Sequence, residues 1–170
     1  MRAPLSPLTV TRFVRATPEA VYDLISDVSR MGEFSPETVR AAWLEGADSA
    51  AVGARFRGHN RLGRLRWSTS PTVTVADRGR EFAFTVPGRS GPDWSFRLEA
   101  AGEGTTVTES VHQASASPAL VRALQRGAGV LDRAAVLRAG METTLDRLAA
   151  AAEQHPAPLP GTAPEGIPAR

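Results

Sequence analysis

The run LDRAAVLRAGMETTLDRLAAAAE, residues 131–153, decides the fold. Leu131, Ala134, Leu137, Met141, Leu145 and Leu148 recur at steps of three and four, while Asp132, Arg133, Glu142, Asp146 and Arg147 fall mostly on the other side. That spacing predicts an amphipathic helix with a single apolar stripe. At a rise of ~1.5 Å per residue the helix is about 34 Å long, enough to cross a small domain from edge to edge. It needs a wide apolar surface to lie on. Upstream the chain offers mainly strands, so the expected arrangement is a curved antiparallel sheet wrapped around this one helix.

The strands show as a period of two. Leu8 to Ala16 alternates and is rich in β-branched residues, although its inward face is not decided by the pattern. From Val39 onward the alternation resumes through Ala41 and Trp43, then Phe56, Gly58 and Asn60, then Leu65, Trp67, Thr69, Val73 and Val75. Phe82, Phe84 and Val86 follow, then Trp94, Phe96 and Leu98, then Val107 and Val111. Glycine- and proline-bearing turns punctuate these runs at Gly46 to Gly53, Leu62-Gly63, Asp77 to Gly79, Pro87 to Pro92 and Gly102 to Gly104. Six strands in series after the first give a seven-stranded meander.

Two short helices interrupt the strands early. Thr17-Pro18-Glu19 reads as an N-cap, a first-turn proline and an acid facing the positive end of the helix dipole. Val21, Leu24, Ile25 and Val28 form its predicted buried stripe, with Tyr22 and Asp23 flanking it. Asp27 or Ser29 caps a second helix that must end before Ser35-Pro36, because a residue preceding proline is pushed out of the helical region. Met31 and Phe34 in this junction plug the core edge or close over a ligand. A further helical pattern opens at Ser117-Pro118 and breaks at Gly127-Ala128-Gly129 before the long helix begins. The expected domain spans residues 1–153, and residues 154–170 form a flexible tail, with five prolines from His155 onward.

Composition bounds the rest. With 170 residues and 42% hydrophobic content, one domain with a substantial core is expected. There is no cysteine, which removes thiol catalysis, disulfides and thiolate metal sites. The three histidines are scattered, so no metal centre is expected; no cofactor is expected either. The N-terminal stretch lacks the apolar core of a signal peptide and no run is long enough to span a membrane, so the expected location is cytoplasmic. Every one of the 20 basic residues is arginine, and the net charge is only +2. No P-loop, dinucleotide fingerprint or nucleophile elbow is present.

The order strand, two short helices, six strands, long helix resembles the START-related (SRPBCC) helix-grip superfamily, and within it the bacterial polyketide cyclase/dehydrase branch. TPEAVYDLISDVSRMGEFSPE, WSFRLEAAGEGTTVTESV and RAGMETTLDRLAAAAE carry the resemblance, which covers residues 8–153. It implies an α+β helix-grip fold with a cavity between sheet and helix that receives lipids, polyketides or other apolar molecules. Most such proteins bind or transport; some catalyse cyclisation or dehydration.

Strand parity proposes the lining. Trp43, Phe56, Trp67, Phe84, Trp94 and Phe96 point inward together, with Leu137 and Met141 facing them from the helix. Ordinary core packing explains any single one of these. Asn60, Glu109 and Gln113 are polar yet share the inward parity. A buried carboxylate must find a partner, water or a raised pKa, so Glu109 is the candidate for anchoring a ligand or for acid/base work. Arg138 is its candidate partner, and Tyr22 is placed at the cavity mouth. His59 and His112 fall on the outward parity.

Arg55, Arg57, Arg61, Arg64 and Arg66 cluster on one hairpin. A solvated outer face accounts for them most simply, and docking of an acidic partner such as an acyl carrier protein is the sharper reading. Nucleic acid is not expected, since no stacking platform or recognition helix accompanies the arginines. Three functions therefore stand at this stage: a binder of a small apolar ligand, a polyketide cyclase or dehydratase using Glu109, and a protein-interaction module.

Overall fold

The computed structural model describes residues 7–88, 91–113 and 132–154. The helical pattern opening at Ser117-Pro118, its glycine break, Leu131 and the tail from His155 lie outside the described residues.

The chain runs β1 (Leu8–Val14), α1 (Pro18–Ser26), a 3₁₀ turn (Val28–Arg30), α2 (Met31–Phe34), then the strands β2 (Thr38–Trp43), β3 (Phe56–Leu62), β4 (Leu65–Thr69), β5 (Thr72–Asp77), β6 (Glu81–Thr85), β7 (Pro92–Ala101) and β8 (Gly104–Gln113), and ends in α3 (Arg133–Gln154). Among the described residues there are eight strands where seven were expected. The run from Leu65 to Val75 breaks at Ser70-Pro71, where proline has no N–H to give to a ladder. The strands form two antiparallel sheets, β1-β8-β7-β6-β5 and β2-β3-β4. They meet at that break: Phe56 N donates to Pro71 O at 3.2 Å, and Val73 N donates to Ala54 O at 2.9 Å.

Local chemistry sets the helix ends. Thr17 Oγ1 accepts from Ala20 N at 3.3 Å, Pro18 opens α1, and Asp27 Oδ1 accepts from Ser29 N at 3.0 Å to cap the 3₁₀ turn. Helix α2 stops at Phe34, with Ser35 extended ahead of Pro36. Phe34 is buried and Met31 packs beside the core, so this pair plugs the edge.

β1 turns Val10 and Val14 inward and leaves Phe13 outside, which settles the face that the pattern left open. α3 lies along β1 in the same direction: Arg138 Nη1 donates to Thr9 O at 3.4 Å, Asp146 pairs with Arg12 at 3.0 Å, and Glu153 Oε1 accepts from Arg15 N at 3.1 Å. From its middle onward it supplies Met141, Leu145, Leu148, Ala149 and Ala152 to the interior. The N-terminal half departs from the expected stripe. Ala134 is exposed and Leu137 half-buried, and no residue from Arg133 to Gly140 is fully buried. This end is held instead by a two-pronged ion pair between Arg133 and Glu37, just before β2.

Candidate ligand-binding site

Alternation along β8 sends Thr105, Val107, Glu109 and Val111 inward. Cross-strand register then builds rows over the inner face of the larger sheet. One row reads Val10, Glu109, Phe96, Phe82, Ala76; the next reads Leu8, Val111, Trp94, Phe84, Val73. On the smaller sheet the inner rows are Thr38, Asn60, Trp67, then Ala41, Gly58, Thr69, then Trp43 beside Phe56.

The aromatic rings link these surfaces. Trp43 and Phe56 meet edge-on at 5.8 Å between centroids, Phe56 and Phe84 at 5.2 Å, and Phe84 leads to Phe82 at 5.8 Å and on to Tyr22 at 6.4 Å. Edge-to-face pairs of this kind add about 0.5–1.5 kcal/mol each beyond burial. Phe56 thus joins the two sheets, and Phe96 is buried as well. Trp43 and Trp94 are half-buried against the core, whereas Trp67 is half-buried but outside the connected core.

The inner face of the smaller sheet is less filled than that of the larger. Thr38, Asn60, Leu62, Leu65, Trp67 and Thr69 are all half-buried, and α3 packs chiefly on β1, α1 and α2. Gly58 sits in the middle of this face, where an added Cβ would come no closer than 3.5 Å to Thr69 Oγ1. Thr38 Oγ1 donates to Asn60 Oδ1 at 3.0 Å, which fixes the amide and turns its Nδ2 away from that bond.

Glu109 is 3% exposed and its Oε2 has no hydrogen-bond partner. Burial pushes its carboxyl pKa from 4.5 up to about 8. Arg138 does not relieve it, being exposed and bonded to the Thr9 carbonyl. A long helix-flank arginine reaches the β1 backbone more readily than the second strand beneath it. The neutral form of Glu109 is a hydrogen-bond donor held among apolar groups.

Other expected residues fall as follows. Gln113 is half-buried at the end of β8 opposite Pro92. Met141 is buried but outside the connected core, as is Val111. Tyr22 is not at a mouth: it is 5% exposed, and desolvation together with the nearby Asp77 and Asp23 raises its phenol pKa, against a smaller lowering by Arg78. His59 accompanies Ser68 on the outer face at 3.0 Å. Phe82, fully buried between Tyr22 and Phe84, belongs to the aromatic series although it was not among the expected lining. Its shared parity with Phe84 in EFAFT was the available signal.

Two antiparallel sheets gripping a long terminal helix define a helix-grip protein. The chain belongs to the family described as polyketide cyclase / dehydrase and lipid transport, whose profile matches residues 7–153. Comparison with curated proteins returns no match. Among solved structures, it is similar to the Polyketide_cyc-like protein Cgl2372 from Corynebacterium glutamicum, at 27% identity over 91% of this chain and 92% of that one, with a TM-score of 0.53. It shares its fold with ginseng major latex-like protein 151 from Panax ginseng, at 13% identity, TM-score 0.66, covering 86% of this chain and 97% of that one. The di-domain ARO/CYC StfQ from the steffimycin biosynthetic pathway shares it too, at 18% identity and TM-score 0.68, covering 87% of this chain and 50% of that one. Among the described residues no helix is long and apolar enough to cross a membrane.

Proposed function

We propose that the protein binds a small, largely apolar molecule between the inner faces of the two sheets and the N-terminal half of α3, with Glu109 of the larger sheet as its polar anchor. The unpartnered Oε2 of the buried Glu109 carries this reading. An unsatisfied buried carboxyl group costs about 1–3 kcal/mol, and a guest oxygen that accepts its proton recovers that cost. Trp43, Phe56, Trp67, Phe84, Trp94, Phe96, Leu137 and Met141 supply the apolar lining, and Asn60 and Gln113 supply polar points. The ligand class is therefore a ring or chain bearing carbonyl or hydroxyl oxygens, in keeping with a family described by cyclases, dehydrases and lipid transport.

All three tryptophans of the chain lie on inner faces, so their fluorescence reports occupancy. Titration with 1,8-dihydroxyanthraquinone is expected to quench them saturably, and Glu109→Leu, folded by circular dichroism, is expected to weaken the titration. Quenching that never saturates would remove the proposal.

One observation favours catalysis as a second reading. A carboxyl group with a pKa near 8 has both protonation states accessible around neutral pH. Glu109 would take a proton from the carbon beside a ligand carbonyl and return it to a departing hydroxyl, so that water leaves and the protein is unchanged. Turnover lost in Glu109→Gln with ligand affinity retained supports this; unchanged turnover excludes Glu109 as the acid/base.

A further inference from the structure

The outer face of the smaller sheet carries positive charge that no described acid pairs with. Arg40 of β2, Arg57 and Arg61 of β3 and Arg66 of β4 point away from the core, and Arg64 sits in the β3–β4 turn. All five are exposed, and among the described residues none takes part in an ion pair. Strands β2, β3 and β4 contain no aspartate or glutamate. Elsewhere arginines meet carboxylates closely: Arg30 with Glu33 at 2.7 Å, Arg78 with Asp23 at 2.6 Å, and Arg55 with Glu45 at 2.6 Å. Arg55, expected in the cluster, is therefore neutralised, and Arg40 takes its place.

Within this face Arg61 stands directly opposite Arg66 in the β3–β4 ladder. Like charges facing each other across a ladder destabilise a sheet. Five guanidinium groups on an acid-free surface, two of them set against each other, form a field that an anionic partner would neutralise. Between them on this face lie Ala42, His59 and Ser68, which are uncharged or nearly so beside the guanidinium groups. Val39, 60% exposed at the β2 bulge, adds an apolar point at the edge.

We propose that this face docks an acidic protein surface, whose carboxylates pair with Arg40, Arg57, Arg61 and Arg66. A guanidinium fork matches a carboxylate with two parallel bonds, as Arg78 already does with Asp23 at 2.8 and 2.6 Å. Single-stranded nucleic acid needs a platform of aromatic rings to stack on, and the outward positions of these strands carry one ring, His59, already bonded to Ser68. A bilayer presents a plane, whereas strand twist of about 20–25° per neighbour turns Arg40 and Arg66 well away from a common plane.

The test uses the full chain and a fluorescein-labelled helical peptide with glutamate at every fourth position, read by anisotropy at low and physiological salt. Binding is expected at low salt, weakening with added salt, and falling at least about tenfold in the double variant Arg61→Glu, Arg66→Glu. Arg78→Ala, remote from the face, is expected to bind as the parent does. Circular dichroism establishes that each variant is folded. Two parallel arms use vesicles of phosphatidylcholine with phosphatidylglycerol and a short DNA duplex. No peptide binding, or equal binding by the double variant, overturns the proposal. Tighter capture of vesicles or duplex through the same two arginines overturns it as well, in favour of a membrane or nucleic-acid face.

Discussion

Glu109 of β8 lies directly opposite Phe96 of β7 on one side and Val10 of β1 on the other. Neither neighbour can hydrogen-bond to its carboxyl group, and the burial that follows raises the folded pKa to about 8. The unfolded chain releases this proton near 4.5, while the folded chain holds it until about 8. Between those values the folded state binds more protons, so this group's contribution to stability is complete below the window, falls as pH rises through it, and is level above it. Glu109→Gln removes the slope. Urea unfolding across the window is expected to show the variant gaining on the parent by a few kcal/mol, at ~1.36 kcal/mol per pKa unit as an upper scale. Parallel curves would show that the carboxyl is not desolvated.

Phe56 joins the sheets through Trp43 and Phe84. Phe56→Ala is expected to cost about 3–5 kcal/mol in urea unfolding, as deletion of a fully buried aromatic does. Trp67→Ala, outside the connected core, is expected to cost less than about 2 kcal/mol. Equal costs would mean that the inner face of the smaller sheet is packed as tightly as the rest.

Two glycines on inner or buried positions give opposite outcomes. At Gly58 an added methyl group meets only ordinary contacts, so Gly58→Ala is expected to gain about 0.5–1 kcal/mol from the lost backbone freedom of the unfolded chain. At Gly104 the same methyl group would collide with the Val14 carbonyl oxygen, so Gly104→Ala is expected to lower the melting temperature sharply. Thermal melts of both variants check the pair.

Arg61→Glu sets an acid opposite Arg66. Replacing repulsion by attraction across the ladder is expected to stabilise the fold by about 0.2–1 kcal/mol relative to Arg61→Ala at low salt, and the gain should shrink as salt rises. A loss of stability would show that Arg61 holds a structural role.

Much of this architecture was legible in the sequence because its signals are local. Thr17-Pro18 capped α1 as chemistry requires, Asp27 capped the turn after it, and the stripe from Met141 to Leu148 forms the buried side of α3. Alternation also placed Glu109 and Phe96 inward together. Less legible was whatever depends on two distant segments. A run that alternates through Ser70-Pro71 looks like one strand until the missing N–H ends the ladder and divides the sheet. Tyr22 looks like a flank residue until Phe82 is set beside it, and Arg138 looks free to reach Glu109 until the Thr9 carbonyl claims it. Which side chains face an acid from other strands is a matter of register, and register is not written in any one segment.

Native mass spectrometry of the freshly purified 18.0 kDa chain tests the proposed binding role most directly. The expected spectrum carries a second series displaced by the mass of one small organic molecule, lost on organic extraction and restored by adding 1,8-dihydroxyanthraquinone at its own mass. A bare chain mass that takes up no such molecule, before or after extraction, would contradict the binding role assigned to Glu109 and the aromatic inner faces.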